Sequence, residues 1–562
     1  MKYANWNVPE RGAEIPRALL AAGCTPLLAA ILHLRGLSDP AAARSFLRGG
    51  AETLTNPLEL TGMVDAVQRL TRAVATGEHV AVYGDYDVDG ITAACLLTDY
   101  LRFRGLTCEL RIPDRISEGY GLNTAAIDAL AKEGVTLIVT VDCGVTNLEE
   151  TAYAAQRGVD MIVTDHHECR EALPEAEAVV DPKQPDSSGV GTALAGVGVA
   201  FKLVCAMEGD ADKMLARYGD LVAVGTVADV MPLLGENRFI TRCGLQKIAA
   251  GDCRPGFLAL AEEAGVRDKP FTASTVGFSL APRINAAGRL GEPSLAVRLL
   301  EETDLRRARV LAAELCAKNR ERQALETEIW REAVERLHGE QPDAPIVLAS
   351  EGWHPGVIGI VASRLTDAYS VPAVMICLDG ESGKGSCRST GSFNLFEALS
   401  ACSDCLEGFG GHAMAAGVTV RRGCVDELRS RLREYYLSHP DRTLPALEAD
   451  LLVDSPELLT MACVESLDEL EPCGNGNPRP LLYMENVSLD SVQPIGGGKH
   501  LRLKLAKFGQ TYDGVFFSQT APALGARAGQ RCDIVFAPQI NEFHGRRSVQ
   551  LVITDLRRSK EG

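Results

Sequence analysis

Closely spaced acidic side chains follow the first strongly apolar stretch of this chain. Asp85, Asp87 and Asp89 alternate with other residues and lead directly into Gly90. Carboxylates crowded into one volume repel each other unless a cation neutralises them, and oxygen ligands suit hard divalent ions. The stretch therefore indicates a metal site.

Three later segments carry side chains of the same kind. Asp142 ends one apolar run, Asp165, His166 and His167 end a second, and Asp229 ends a third. Together with the first stretch, these carboxylates and imidazoles form a set suited to two divalent ions. Solvated acids at a strand-end turn are the alternative for any one aspartate, but the agreement of the separate segments disfavours it.

The spacing Asp-x-Asp-x-Asp-Gly also opens the calcium loop of EF-hand proteins. That loop ends with a bidentate glutamate at its twelfth position. In this chain the twelfth residue counted from Asp85 is Leu96, which offers no ligand. The sequence therefore argues against a calcium loop.

Length and composition indicate a protein of several globular domains. The 562 residues are 46% hydrophobic, and a prior of ~150 residues per domain predicts about three or four domains. The chain has no run of ~18 apolar residues that would span a membrane, and its N-terminus lacks the apolar stretch of a signal peptide. We predict a cytoplasmic monomer that does not bind membranes.

The 17 cysteines are an odd number and lie scattered in apolar segments, which predicts reduced thiols. Cys402 and Cys405 have the spacing of half a zinc site. No second pair lies nearby, so small residues filling a helix are the favoured interpretation. The net charge of -18 argues against indiscriminate binding of polyanions. A local basic groove with bound ions can still attract nucleic acid within a Debye length of ~8 Å.

The positions of the acidic segments predict the fold that brings them together. Between residues 61 and 303, apolar strands at 79–83, 135–141 and 161–163 alternate with helices such as 91–103. This alternation predicts an α/β domain with a parallel sheet covered on both faces. Ligands that all follow strands then converge at the carboxyl edge of the sheet.

The other segments differ in pattern. Residues 1–60 are predicted to be a helical lead-in that docks on the segments after it, and 304–340 to be one long connecting helix. Residues 341–445 predict a second α/β domain, and the short alternating runs within 446–562 predict a small β-barrel of about five strands. The cleft between the two α/β domains is the expected substrate site.

The triplet Asp165-His166-His167, in this order after the other acidic motifs, resembles the DHH phosphoesterase family, which is named for it. Further motifs resemble the branch of that family that degrades single-stranded DNA from the 5′ end; they lie at 117–122, 281–290, 352–362 and 410–412. The resemblance covers nearly the whole chain. It implies a catalytic DHH domain, a connecting helix, a DHH-associated domain and a C-terminal OB-fold.

Phosphodiester hydrolysis needs hydroxide near neutral pH and neutralisation of the phosphoryl oxygens, which two ions about 3.5 to 4 Å apart supply. We predict that Asp142 bridges the ions and that Asp85, Asp87, His166 and Asp229 complete the ligand set. Asp142 and His166 are thereby catalytic. Mixed imidazole and carboxylate ligation favours manganese, with magnesium as the alternative.

The neighbouring polar residues have supporting roles. His167 is predicted to be catalytic through support of the site or contact with a phosphate; a histidine that merely donates to a neighbouring carboxylate is the alternative. Asp89 and Asp165 are expected to orient ligands. For Asp89, capping of the helix that starts near Ile91 is equally compatible with the sequence.

Substrate binding is expected from Arg283 and Arg289 on one side of the cleft and from Ser386, Arg388 and His412 on the other. Arginine forks suit phosphate. The resemblance implies that Ser386 and Arg388 hold the terminal 5′ phosphate and set the polarity. Surface ion pairs are the alternative for any one arginine.

Two further features are open. Cys387 departs from the family pattern, which more often has glycine there; cysteine is small, so we expect function to survive. In the barrel, a basic and aromatic platform for stacked bases is predicted; its candidate residues are Lys499, His500, Arg502, Lys504, Phe516 and Phe517.

The leading hypothesis is hydrolysis of single-stranded DNA from the 5′ end to nucleotides, in DNA repair and recombination. A helicase and a single-strand-binding protein are the partners to test. One alternative is a DHH-type phosphodiesterase acting on short oligonucleotides, which usually lacks the barrel. Another is a non-catalytic scaffold of the replication machinery, against which the intact ligands argue.

Overall fold

The computed structural model of the chain describes residues 3, 5–440, 443, 446–543 and 545–559. It forms two compact units. The smaller unit comprises the described parts of Met1–Gly49, Thr443–Glu471 and Asn477–Gly562, and the larger comprises those of Gly50–Arg442 and Pro472–Gly476. Residues up to 49 thus share a unit with C-terminal residues, whereas the sequence suggested a lead-in that docks on the next segments of the chain. The predicted boundaries at 60, 303, 340 and 445 stay predictions.

The strands fall into four sheets. In chain order they are β1 (Asn5–Asn7), β2 (His79–Gly84), β3 (Thr107–Arg111), β4 (Leu137–Val141), β5 (Asp160–Thr164), β6 (Ala178–Val180), β7 (Ile346–Ser350), β8 (Ala373–Asp379), β9 (Ser382–Arg388), β10 (Leu406–Gly411), β11 (Ala415–Arg421), β12 (Ala446–Glu448), β13 (Leu451–Leu452), β14 (Leu482–Ile495), β15 (His500–Lys507), β16 (Gln510–Phe516), β17 (Arg531–Phe543) and β18 (Arg546–Arg558).

The helices are concentrated in the larger unit. In chain order they are α1 (Arg17–Ala21), α2 (Pro26–Leu34), α3 (Pro40–Arg48), α4 (Met63–Thr76), α5 (Val88–Phe103), α6 (Thr124–Lys132), α7 (Leu148–Gln156), α8 (Gly196–Glu208), α9 (Ala211–Ala228), α10 (Gly235–Ala250), α11 (Pro255–Glu263), α12 (Ala273–Thr275), α13 (Ala281–Arg289), α14 (Pro293–Glu301), α15 (Leu305–Arg336), α16 (Pro355–Tyr369), α17 (Leu395–Ser400), α18 (Val425–Ser438) and α19 (Met461–Ser466).

The first sheet of the larger unit is parallel throughout, in the order β3-β2-β4-β5-β6. Every residue of β4 is buried, because apolar side chains cover both faces of the strand. This confirms the predicted parallel sheet. The long helix α15 follows, and the Asp304 side chain caps it by accepting a hydrogen bond from the backbone N–H of Arg307.

The second sheet of the larger unit is mixed, in the order β10-β11-β9-β8-β7. Only β7 and β8 run parallel; the other neighbours are antiparallel. Helix α16 packs against β8 and β9, and apolar side chains of α18 join the same core. A second α/β domain was predicted, and its sheet is the mixed type.

The smaller unit contains the predicted barrel. Strands β14, β15, β16, β18 and β17 pair in that order, and the pairing of β14 with β17 closes the ring. Leu501, Leu503 and Leu505 alternate with exposed residues along β15 and fill the interior. The five-stranded OB-type barrel is thus confirmed. Within the described part of the chain, every helix is too short or too polar to cross a membrane.

Candidate metal centre and substrate site

Most of the predicted ligands lie where neighbouring strands of the parallel sheet end. Asp85 and Asp87 follow β2, Asp142 follows β4, and Asp165 and His166 follow β5. Because β2, β4 and β5 are adjacent and parallel, their carboxyl ends place these side chains at one edge. The tertiary structure therefore joins residues that are far apart in sequence.

Asp229 reaches the same edge by a different route. It follows helix α9 rather than a strand, and its backbone N–H donates to the Gly225 carbonyl at 2.9 Å. Its Oδ2 lies 3.6 Å from His166 Nε2. The prediction that every ligand follows a strand is therefore wrong for Asp229. The short apolar run before Asp229 does not by itself distinguish a buried helix from a strand.

Among the described residues, the candidate ligand atoms form three overlapping groups, and the atoms of each group lie within 4.8 Å of one another. The first group is Asp85, Asp87 and Asp142, the second is Asp142, His166 and His167, and the third is Asp89, His166 and Asp229. All five predicted metal ligands are among them. Asp142 and His166 each occur in two groups, and the bridging role of Asp142 stays a prediction. The structure adds Asp89 and His167 to the sequence-based set.

The carboxylates of this centre disfavour each other's ionisation. Burial, with a contribution from Asp87, raises the pKa of Asp85 to about 8 and that of Asp229 to about 7. Burial and neighbouring carboxylates hold the pKa values of Asp142 and Asp89 well above their usual range. Acids that cannot all ionise together need a cation to do so.

His166 has the properties of a metal ligand. Burial, reinforced by the neighbouring His167, lowers its pKa to about 4, so the ring is neutral at physiological pH. Its Nε2 lies 3.1 Å from Asp142 Oδ1. Within the described residues, neither ring nitrogen has a partner in hydrogen-bonding geometry. Buried nitrogens without partners are rare and costly, and a divalent ion at this place would satisfy them. The residues therefore fit a metal centre.

Asp165 orients both histidines. Its carboxylate accepts hydrogen bonds from the backbone N–H of His166 at 2.8 Å and from His167 Nδ1 at 2.7 Å. Burial opposes ionisation of Asp165, but these bonds keep its pKa below the usual value. Burial likewise favours neutral His167, but the bond to Asp165 raises its pKa to about 9. The Tyr120 hydroxyl, which sequence reasoning did not single out, lies 3.2 Å from the same Nδ1.

Asp89 does not cap its own helix. Asp87 is the N-cap of α5 and accepts the backbone N–H of Asp89 at 2.8 Å. The Asp89 carboxylate instead accepts the backbone N–H groups of Gly196 at 2.6 Å and Val197 at 2.9 Å, at the start of α8. The capping alternative is therefore wrong, and Asp89 ties α8 to the centre.

Close packing around the centre requires glycine at two positions. A Cβ on Gly196 would lie 2.5 Å from the Asp142 Cβ, and one on Gly90 would lie 2.5 Å from the Asp85 backbone nitrogen. Neither neighbour is the free end of a flexible side chain. These glycines let the ligand-bearing segments approach each other.

Positively charged side chains collect where α13 meets α16. The Arg289 Nη1 donates to the Gly356 carbonyl at 3.1 Å and so links α13 to α16. Burial lowers the pKa of Arg289 to about 10, with further contributions from Arg115, Arg322 and Arg388. Arg115 was missed by sequence reasoning, although it lies two residues before the motif at 117–122.

Ser386 and Arg388 face the first turns of α16. A Cβ on Gly359 would lie 3.3 Å from Ser386 Oγ and 3.4 Å from Arg388 Nη2. Cys387, between them, points to the opposite face of β9 and is 0% exposed in the apolar core. The departure from the family pattern at Cys387 therefore leaves the cleft side unobstructed.

A cavity of about 530 Å³ lies at this place. Arg115 and Ile116 line it from the first α/β part, and Gly356, Lys384 and Ser386 are among the residues that line it from the second. It occupies the cleft in which the sequence predicts the substrate. Arg115 and Lys384 bring positive charge to its lining, and Glu351 and Asp379 bring negative charge.

The remaining predicted substrate residues lie in different places. The His412 backbone N–H donates to the Ala415 carbonyl at 2.8 Å, and Ala415 pairs with Arg388, so His412 lies two strands from Arg388 on the sheet. Arg283 Nη1 donates to the Ser279 carbonyl at 2.5 Å. Its described contacts do not include the other predicted substrate residues, and its role stays a prediction.

The residues predicted to form a stacking platform in the barrel do not all lie on its surface. Phe516 is buried in the barrel interior, whereas Phe517 is 54% exposed. The Phe517 ring meets His500 edge-on, with 5.5 Å between ring centres. Lys504 pairs with Asp513 at 2.8 Å. Elsewhere, Cys402 and Cys405 are buried free thiols, and the other cysteines are free as well.

Comparison with known proteins gives the same domain order. Three family models match: the DHH family N-terminal domain over residues 79–226, the DHHA1 domain over 333–437 and the RecJ OB domain over 450–555. The single-stranded-DNA-specific exonuclease RecJ of Bacillus subtilis is 40% identical over 94% of this chain and 68% of its own. The protein of the same name from Dickeya dadantii is 36% identical over 98% of both chains.

Solved structures agree. The crystal structure of RecJ from Thermus thermophilus in complex with Mn²⁺ superposes with a TM-score of 0.85 at 31% identity, over 99% of this chain and 80% of that one. A crystal structure of exonuclease RecJ bound to manganese gives a TM-score of 0.60 at 37% identity, over 69% of this chain and 97% of that one. On its fold, its ligand set and these similarities, the chain belongs to the RecJ family of single-stranded-DNA-specific exonucleases.

Proposed function

We propose that this protein removes nucleotides from the 5′ end of single-stranded DNA by metal-dependent hydrolysis, in DNA repair and recombination. The observation that carries the proposal is the buried carboxylate and imidazole centre, whose His166 nitrogens have no described partner. The Arg115 guanidinium lies 4.9 Å from the ring centre of Tyr86, between Asp85 and Asp87 in the chain, and Arg115 lines a cleft together with Ser386. A nuclease site needs both sets, one to hold cations and one to hold phosphate.

Asp85, Asp87, Asp142, His166 and Asp229 would hold two divalent ions. Bound there, such ions lower the pKa of a water molecule and neutralise the phosphoryl oxygens. Manganese is the proposed ion and magnesium the alternative; similar RecJ structures are described as Mn²⁺ and Mg²⁺ complexes. The neutral His166 ring is ready to bind without losing a proton.

His167 complements the ligands. Its Nδ1 hydrogen bond to Asp165 leaves Nε2 for another contact. The raised pKa keeps the ring protonated near neutral pH. We assign it to a phosphoryl oxygen of the substrate, where its positive charge stabilises the developing negative charge.

We assign recognition of the terminal 5′ phosphate, which sets the direction of digestion, to Ser386, Arg388 and Arg289. Their hydroxyl and guanidinium groups are donors of the type that binds a terminal phosphate. Burial lowers the pKa of Arg289 and of Arg388, and repulsion between Arg289 and Arg388 adds to the shift at Arg289. A phosphate dianion between them relieves this repulsion. DNA labelled at either end tests the assignment: release of the 3′ label first would contradict it.

The test of the metal-dependent activity is the conservative substitution Asp142→Asn. We expect loss of Mn²⁺-dependent nucleotide release from single-stranded DNA, because the candidate bridging carboxylate is gone. The folded state should be retained, as checked by circular dichroism. Unchanged nucleotide release would contradict the assignment of Asp142.

The barrel favours long single strands over short oligonucleotides as substrates, because OB-folds bind extended strands through stacking and positive charge. Exposed Phe517 and His500 are candidates for such stacking. A cytoplasmic location, a monomeric state, and a helicase and a single-strand-binding protein as partners stay predictions.

A further inference from the structure

The turn that follows Asp229 is an unusual helix end. The backbone N–H groups of Val230 and Met231 donate to the carbonyls of Val227 and Thr226, each at 3.2 Å. This pair of bonds is the Schellman arrangement, in which glycine usually holds the left-handed position. Here that position is Val230, with φ at 57°.

Val230 is poorly suited to this conformation. A Cβ crowds the following carbonyl oxygen in the left-handed region, and a β-branched side chain makes the crowding worse. Packing contacts offset little of this strain, since the Val230 side chain is 64% exposed. The helix end that carries Asp229 therefore needs support from elsewhere to keep its shape.

That support comes from a distant segment. Pro472–Gly476 packs in the same compact unit as the turn, although the residues on either side of it in the chain belong to the other unit. Asn475 Nδ2 donates to the Val230 carbonyl at 2.8 Å. The Asn475 carbonyl accepts the Leu233 N–H, also at 2.8 Å. The turn is thus bonded at two points by one residue.

The segment Pro472–Gly476 packs closely against the residues that follow the turn. A Cβ on Gly474 would lie 2.8 Å from Leu233 Cδ1, and Gly476, at φ +70°, would place one 3.2 Å from Leu234 Cδ1. Arg238 Nη1 also donates to the Pro472 carbonyl at 3.2 Å. A side chain at Gly474 or Gly476 would therefore crowd these leucines, so the segment packs directly against the residues that follow the turn.

We propose that Asn475 is a positioning residue for the metal ligand Asp229, an inference that rests on the proposed metal-dependent function. By bonding the Val230 carbonyl, Asn475 holds the strained turn and fixes the direction in which Asp229 presents its carboxylate to His166. A residue from the sequence region of the barrel thereby acts on the affinity of the metal centre without touching the metal.

The test compares Mn²⁺ affinity, measured by titration calorimetry on the full chain, in Asn475→Ala and a matched control. Gln341→Ala is that control: Gln341 Nε2 donates to the Tyr369 carbonyl at 2.9 Å, beside Ser370, which is left-handed at φ 56°. It removes the same kind of bond from a helix end without a metal ligand. We expect Asn475→Ala to weaken Mn²⁺ binding about tenfold and Gln341→Ala to leave it unchanged.

A rescue variant separates positioning from general destabilisation. Glycine adopts the left-handed conformation without strain, so Val230→Gly in the Asn475→Ala background should restore Mn²⁺ affinity. A double variant that binds as weakly as Asn475→Ala would overturn the proposal. So would equal losses in Asn475→Ala and Gln341→Ala.

The two proposals fail in different ways. If the unaltered protein binds no Mn²⁺, the proposed metal-dependent function fails. If it binds Mn²⁺ and Asn475→Ala binds equally well, only the positioning role fails.

Discussion

Two groups of buried charged residues at the candidate cleft, the carboxylate side and the arginine side, have opposite charge, and burial disfavours the charged form in each. On the carboxylate side, burial and mutual repulsion raise the pKa of Asp85 to about 8. On the arginine side, burial and neighbouring arginines lower the pKa of Arg289 to about 10. In each group, burial and like charges destabilise the charged form of the side chains. Binding of an oppositely charged ligand would remove that cost. Under the proposed function, cations would neutralise the carboxylates and a phosphate would neutralise the arginines.

The comparison is tested most strongly by Asp85→Asn. It removes a metal ligand, so we expect nucleotide release to fall by at least ~100-fold. It also removes one of the repelling charges, so the unfolding temperature of the metal-free protein should rise at pH 8. Calorimetry with and without Mn²⁺ measures the second effect. A lower unfolding temperature in the metal-free variant would show that the charge of Asp85 does not destabilise the metal-free protein.

On the arginine side, the test is Arg388→Ala. We expect kcat/KM on 5′-phosphorylated DNA to fall by about 10- to 100-fold, because a buried charge-assisted contact to the terminal phosphate is lost. DNA with a 5′ hydroxyl should be affected much less. Arg433→Ala, which breaks an exposed pair with Asp343 at 2.8 Å, is the control and should leave both rates unchanged. Equal losses of kcat/KM on 5′-phosphorylated DNA and on DNA with a 5′ hydroxyl would contradict a phosphate-binding role.

The pH dependence of stability tests the raised pKa values of the carboxylates. Asp85 and Asp229 have ordinary pKa values of 3.8 and folded values of about 8 and about 7. Between these limits the folded protein binds more protons than the unfolded chain, so the free energy of unfolding falls as pH rises. We expect the metal-free protein to lose stability from pH 5 to 8 and Mn²⁺ to restore it. Thermal unfolding across this range checks the sign, and a rise in stability would contradict it.

The smallest effect on activity is expected from Cys387→Gly. The thiol lies in the core and not in the cleft, so kcat/KM should stay within about twofold. The free energy of unfolding should fall by about 1 to 2 kcal/mol, because glycine in a strand is flexible and the cavity is unfilled. A large gain in activity would show that the thiol obstructs the substrate.

Local sequence patterns were sufficient for most of the architecture. Strands β2, β4 and β5 are short apolar runs that end in acids, and their positions follow from hydrophobic patterning alone. The helix α15 and the five barrel strands were predicted for the same reason. The ligands Asp85, Asp142 and His166 follow such runs directly, so residue type and position were enough to nominate them.

Residues whose role depends on distant contacts were predicted less well. Asp89 is the second residue of α5, and only the approach of α8 shows that its carboxylate binds that helix. Asp229 follows a buried helix that is as apolar as a strand. Arg115 carries no distinctive local pattern, and its position beside Arg289 depends on the packing of two segments that lie far apart in the chain.

The sequence by itself therefore determined the ligand types, the parallel sheet, the barrel and the family resemblance, because these depend on side-chain chemistry and on periodicity along the chain. Only the tertiary structure decided which acids share a group, that Cys387 points away from the cleft, and that Asn475 bonds the turn beside Asp229. These features depend on distances between segments far apart in the chain, which no local pattern encodes.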